Sequence, residues 1–197
     1  MSDIVNRRQF VAGLAAFGAV FTAVPAFAYS SADATNLIGK VVRDINRIIN
    51  SGQPETVMLS DFENIFRDYA DVPIIARSAL GPPARSLTKP QLADFTASFQ
   101  GYISRKYGRR FREFIGGRME VKSAKAVKSF FEVKCLATLK GQPPFEVIFV
   151  VAGRSGRFID MEIEGVSLLK AERAEVGAML DNRRGDVRRL TADLRNI

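Results

Sequence analysis

Apolar residues recur at spacings of three and four from about Ala32 to Asn50: Leu37, Ile38, Val41, Val42, Ile45, Ile48 and Ile49. That period predicts a helix with one buried face, stopped by Ser51-Gly52. A second helix is predicted over about 60–70, with Phe62, Ile65, Phe66 and Tyr69 on one side, and a third through "VPIIARSAL" to Gly81. Gly81-Pro82-Pro83 breaks the pattern, and Thr88 with Gln91 three residues on reads as a capping box, with Pro90 tolerated in the first turn. The helix that follows carries a stripe of Leu92, Phe95, Phe99, Tyr102, Ile103, Tyr107, Phe111 and Phe114, ending near Gly116-Gly117. Its other side is basic.

After Gly117 the period changes to two. "RMEVKS" opens a series of strands, and "FFEVKCLATL" alternates Phe131, Val133, Cys135, Ala137 and Leu139 with polar residues. "FEVIFVV" presents Phe145, Val147, Phe149 and Val151 on one face, and "RFIDMEIE" turns Ile159, Met161 and Ile163 inward. Half-buried antiparallel strands alternate in this way. Helical segments at about 168–180 and 186–194 close the chain. The plan is α+β: helices packed on a curved antiparallel sheet of about four strands, in one domain.

In the last strand Asp160, Glu162 and Glu164 fall on a single face, each about 6.5 to 7 Å from the next. That separation lies within the span of roughly 6.5–9.5 Å used by inverting glycosidases. Acid catalysis, however, needs one carboxyl in an apolar setting beside an ionised partner, and these three share one polar face. They are read as a solvated outer face, and no catalytic residue is assigned.

Of 197 residues, 29 are Lys or Arg and 21 are Asp or Glu, a formal net charge of +8 that suits an anionic partner without choosing among nucleic acid, lipid headgroups and acidic protein. There is no histidine, which removes the commonest metal ligand and general base. The single cysteine, Cys135, leaves no internal disulfide. No cofactor and no metal are expected.

The N-terminus narrows the partners. Arg7 and Arg8 precede a modestly apolar run from Phe10 to Val24, and Ala26-Phe27-Ala28 has the small-x-small form of a cleavage site. The run is about 15 residues, short of the roughly 18 to 20 that a membrane-spanning helix needs. Residues 1–28 therefore read as a cleaved export signal of twin-arginine character, with a single domain at 29–197 and a periplasmic destination. Cleavage after Ala28 leaves 27 basic and 20 acidic residues. Nucleic acid is not expected as a partner of an exported chain.

"FENIFRDYADVPIIARSALG" (62–81), "LTKPQLADFTASFQGYISRKYG" (87–108) and "IEGVSLLKAERAEV" (163–176) occur in this order. They resemble the MlaC, or toluene-tolerance, family of periplasmic phospholipid-binding proteins, the auxiliary component of a lipid-transporting ABC system. Two positions depart from that pattern: Ala84 and Phe158 stand about where the family commonly has Trp.

The resemblance implies a fold like that of nuclear-transport-factor-2-like proteins, enclosing an apolar cavity for lipid chains. It implies a carrier that moves phospholipid between an inner-membrane ABC complex and an outer-membrane lipoprotein complex, maintaining outer-membrane lipid asymmetry. Membrane contact would be transient. Combined with the faces above, it makes Phe66, Tyr69, Ile74, Ile75, Phe99, Tyr102, Ile103, Val133, Cys135, Val147, Phe149, Met161, Ile163, Val166 and Leu168 the expected lipid-binding residues. Arg105, Lys106, Arg109, Arg110 and Arg112 on the long helix, with Arg183, Arg184, Arg188 and Arg189, are candidates for docking to headgroups or partners. A hopanoid-type lipid is an alternative cargo. Two other readings stay open: an enzyme acting on an apolar substrate through Tyr69, Tyr102, Tyr107 and Asp68 or Asp160, and a basic adaptor with a filled core.

Overall fold

Ser30 fixes where the first helix starts: its hydroxyl accepts from the Asp33 amide while the Asp33 carboxylate accepts from the Ser30 amide. The computed structural model describes residues 29–108 and 113–197. Helix α1 (Ser31–Ile49) buries Ala34, Ile38, Val41, Val42, Ile45, Ile48 and Ile49, the face its periodicity predicts. Helix α2 (Glu55–Tyr69) starts a turn earlier than the pattern suggests, directly after Pro54. Helix α3 (Val72–Leu80) is capped by Asp71, whose side chain accepts from the Ile74 amide, with Pro73 in the first turn.

A short 3₁₀ turn, Pro82–Arg85, leads to α4 (Lys89–Gly108), where Thr88 and Gln91 form the expected capping box. Helix α4 is described as far as Gly108, and Phe111 of the stripe lies outside the described residues.

The strands β1 (Arg118–Val127), β2 (Phe130–Thr138), β3 (Phe145–Ala152), β4 (Arg157–Ile163) and β5 (Val166–Ser167) pair antiparallel in chain order. The α+β plan stands, with five strands where about four were expected. The fifth is a two-residue return through Glu164-Gly165, whose φ values of 50° and 81° suit the two central residues of a type I′ hairpin turn. Helices α5 (Leu168–Asp181) and α6 (Val187–Asp193) close the chain.

Helices α1, α3 and α5 lie against the sheet, while α2 and α4 pack on α1 and α3. The opposite sheet face is polar, with cross-strand ion pairs Lys125–Glu132 at 2.8 Å and Lys134–Glu146 at 2.5 Å. One face buried and one in water is what the period-two alternation encodes.

Two bulges interrupt the ladders of the sheet. One falls at Val121/Ser123 in β1. The other interrupts β3–β4 pairing: Val150 faces Asp160 and Val151 faces Phe158, leaving Ile159 as the extra residue. A bulge reverses side-chain parity, so Phe158 turns inward along with Met161 although their numbers differ by an odd count.

Several polar ties hold the layers in register. The Asn46 side chain exchanges two hydrogen bonds of 2.9 Å with the Met119 backbone, pinning α1 to β1. Arg157 donates to the carbonyls of Arg67 and Ala70, and the Asp71 amide donates to the Phe158 carbonyl. The α2–α3 junction is thereby fastened to the start of β4.

Candidate functional site

Between the helices and the inner sheet face lies a cavity of about 120 Å³. Its wall takes Val41 and Ile45 from α1, Phe62, Ile65 and Phe66 from α2, and Ile75 from α3. Helix α4 adds Phe99, Ile103 and Tyr107; the strands add Phe149, Phe158, Ile159, Asp160 and Met161; α5 adds Leu168 and Glu172. Phe158 is the pivot of the aromatic lining, 5.6 Å from Phe149 edge-on and 6.3 Å from Phe66.

A second hollow of about 360 Å³ lies alongside it, toward the β2–β3 turn. Phe114, Met119, Leu139, Pro143, Pro144, Phe145, Val147 and Ile163 line it, with Glu113 and Glu164. Ile45, Tyr107, Met161 and Leu168 belong to both walls. Of these four, Met161 is the unbranched and most adaptable side chain. Small-molecule sites typically occupy roughly 300–1000 Å³, a range the larger hollow reaches by itself.

The expected lipid-binding residues divide into three groups. Phe66, Ile75, Phe99, Ile103, Phe149, Met161 and Leu168 stand on the first wall, and Val147 and Ile163 on the second. Tyr102, Val133 and Cys135 are buried but form neither wall; they pack in the solid core. Burial in apolar surroundings pushes the Cys135 thiol up to about 12, leaving it an inert core group.

Ile74, Val166 and Tyr69 stand on neither wall. Ile74 is 44% exposed and Val166 59% exposed: Ile74 sits in the first turn of α3 facing outward, and Val166 lies opposite Ile163 on the two-residue edge strand, next to the hairpin turn. Tyr69 is half-buried, and its hydroxyl donates to Asp44 at 2.8 Å, tying α2 to α1 away from the cavity.

The basic candidates fare differently as well. Arg105 donates to the carbonyls of Leu194 and Ile197, anchoring the C-terminus on α4. Lys106 turns inward: its ammonium bonds Glu172 at 2.6 Å, Glu175, and the Tyr102 hydroxyl at 3.1 Å. Both are engaged within the fold and are not free docking cations. Arg109, Arg110 and Arg112 lie outside the described residues. Arg183 bonds Asp193 and the Met179 carbonyl, whereas Arg184, Arg188 and Arg189 are exposed.

Around Lys106 a polar cluster joins α4 to α5 at the cavity wall. Tyr107 donates to Glu172 at 2.5 Å and Tyr102 to Glu175 at 2.9 Å. Burial and the neighbouring carboxylates hold both phenols well above their ordinary range, so they stay neutral donors. Burial opposes the Lys106 ammonium, but its bonds to Glu172 and Glu175 outweigh this and raise its pKa. The same ammonium holds Glu175 below the usual carboxylate range.

Asp160 also departs from the solvated-face reading. Its carboxylate accepts from Ser167 Oγ at 2.5 Å and from the amides of Met161 and Leu169, securing the N-terminus of α5 against β4. Three donors on one carboxylate mark a structural clasp.

Sequence reasoning missed Val41, Ile45, Phe62, Ile65, Tyr107, Phe158, Ile159, Asp160 and Glu172 on the first wall. For Glu172 a signal existed: it falls midway in Leu168, Glu172, Val176 and Leu180, an i, i+4 series whose other members are apolar. The periodicity of Phe158 gave none, because its inward turn depends on the bulge.

An antiparallel sheet roofed by helices, with an almost wholly apolar hollow between them, defines an α+β protein built around an internal cavity. Across residues 39–196 the sequence matches the family model described as MlaC protein, and the chain belongs to that family. Among solved structures it is similar to a phospholipid-binding protein from Ralstonia solanacearum in complex with a phospholipid. The TM-score is 0.67 at 18% identity, covering 82% of this chain and 98% of that one. No curated protein matches the chain at a significant level. No described helix is long and apolar enough to cross a membrane.

Proposed function

We propose that this protein is a lipid carrier that holds the acyl chains of a phospholipid in the two adjoining hollows. The observation that carries this reading is the first cavity: seven elements converge on it, and nearly all the side chains they contribute are apolar. Ordinary core packing fills such space, since interiors are close-packed. Membership of the family and the likeness to a structure holding a phospholipid support the same reading.

The thermodynamics suit a carrier. Burying a methylene contributes about 0.8 kcal/mol, so two chains of about 16 carbons amount to on the order of 25 kcal/mol lost in bare water. A bilayer interior and a dry protein cavity offer similar surroundings, so exchange between them is near balance and needs no fuel in the carrier itself. Direction then comes from partners: an inner-membrane ABC complex and an outer-membrane lipoprotein complex, with lipid asymmetry of the outer membrane as the outcome. Residues 1–28 act as the export signal, and the periplasm is the site of action. The exposed Arg184, Arg188 and Arg189 attract anionic headgroups, at about 1 kcal/mol per charge near the surface.

For a chain of either fatty acyl tail to enter, Met161 and Leu168 rotate and merge the hollows into one. The test is organic extraction of the purified mature protein followed by mass analysis. Phospholipid at about one per chain is the expected result; a polycyclic terpenoid lipid would redirect the cargo assignment, and consistently empty protein that ignores added lipid would end the proposal.

A further inference from the structure

Glu113, Gln142, Pro143, Pro144 and Glu164 line the larger hollow and are also exposed at the surface. They mark where that hollow opens to solvent. Three turns carry them: the one that follows α4, the β2–β3 turn and the β4–β5 hairpin. No described residue on the wall of the smaller hollow is exposed, and that hollow adjoins the open one through their shared wall residues.

Each turn also sets apolar surface on the rim. Ile115, next to Phe114 of the wall, is 54% exposed, and Val166 is 59% exposed. Val166 faces Ile163 across the edge ladder, and directly opposed residues of an antiparallel pair share a face, so it carries the apolar lining of Ile163 out to the sheet edge. Pro143 and Pro144 supply the third turn. One exposed aliphatic side chain is ordinary, but apolar tips on three turns around one opening point to a surface that something covers.

The chemistry of the rim says what covers it. Glu113 and Glu164 stand among the apolar tips. A close-fitting protein partner would have to dry those carboxylates, which is costly without a paired cation. A bilayer asks for no such thing: its headgroup layer keeps carboxylates wet while apolar side chains reach the acyl boundary. A lipid tail that passes through this opening from the bilayer also never meets water, where every methylene would raise the barrier.

We propose that the rim formed by Ile115, Pro143, Pro144 and Val166 seats directly on a lipid bilayer, with the mouth of the larger hollow against the acyl layer. The inference rests on the carrier reading and adds to it the face through which lipid is exchanged.

The chain has no tryptophan, so one introduced on the rim is a lone reporter. Mature Val166→Trp and Ile115→Trp are mixed with vesicles of dioleoyl phosphatidylcholine, with and without brominated acyl chains, and with native membrane vesicles. Val57→Trp is the control, since Val57 is 40% exposed on α2 and stands on neither wall. With pure lipid, both rim reporters should shift to the blue and lose most of their emission to the brominated chains, and the control should do neither. Joining Val166→Asp to Ile115→Asp should weaken vesicle binding by about tenfold; unchanged binding overturns the proposal.

Rim reporters quenched no more than the control overturn it too. Lipid extracted from the same preparations then leaves the carrier reading standing, whereas empty protein takes both down. A blue shift with native membrane vesicles and none with pure lipid assigns the rim to a membrane protein, which also overturns the proposal.

Discussion

The two hollows share four wall residues yet are built by different means. The smaller is walled wholly by side chains from helices and strands, and Phe99 and Phe149 in it are buried to 2% or less. The larger is framed in part by turns, the Pro143-Pro144 loop and the Glu164 hairpin, and carries carboxylates at its margin. Regular elements fix side chains by register, whereas turns leave them half in water. A rigid aromatic end beside a looser, polar-edged end suits a ligand with a hydrocarbon tail and a polar head.

The strongest way to break this contrast is to remove one phenylalanine from each hollow. Phe149→Ala should cost about 3–5 kcal/mol in urea unfolding, since its neighbours on β4 and α4 cannot close over the space. Phe145→Ala, half-buried beside the turn, should cost roughly 1–2 kcal/mol. Equal losses would mean that the two ends are packed alike.

Next in size is the polar cluster on the shared wall. Lys106→Met leaves Glu172 buried without its cation, and removing one partner of such a pair costs about 3 kcal/mol or more. The pH dependence sharpens the point. Glu175 is held below its ordinary 4.5, so its contribution is present above that value and lost as pH falls through the depressed one. Lys106 is raised above 10.5, so its contribution is complete below 10.5 and lost as pH rises past the raised value. Thermal midpoints should be flat between about pH 5 and 9 with a fall on either side, and Lys106→Met should weaken the alkaline fall, to which Tyr102, Tyr107 and Cys135, all held above their ordinary values, also contribute.

Leu168→Trp plugs the partition itself. It should cost about 1–3 kcal/mol from overpacking while reducing extracted lipid severalfold; a folded variant with full lipid content would show that the hollows need not merge. The smallest effect belongs to the polar sheet face. Lys134→Ala breaks an ion pair with Glu146 that is about half exposed, so stability should change by about 0–1 kcal/mol and lipid content not at all. A larger change would place that face in the binding mechanism.

Helix and strand identity was legible because each element repeats one period over two or more turns or pairs. The buried face of α1 and the Thr88–Gln91 capping box follow from spacing alone. Site residues were legible only where a periodic face also happened to border the cavity, as at Phe99, Ile103 and Phe149. Val133 and Cys135 share the inward face of β2 and yet line neither hollow, because a period reports which side a residue takes and not what stands opposite. Lys106 read as part of a basic outer surface because its partners are 66 and 69 residues away.

By itself, the sequence determined the α+β plan, the caps and turns, and which side of each element is apolar, since these depend on residues within a few positions of one another. Only the tertiary structure decided that the apolar sides stop short of filling the interior, that a bulge at Ile159 swings Phe158 into the gap, and that Glu172 meets Lys106 and Tyr107 there. Those outcomes depend on the distance between surfaces brought together from far along the chain, and local periodicity carries no measure of that distance.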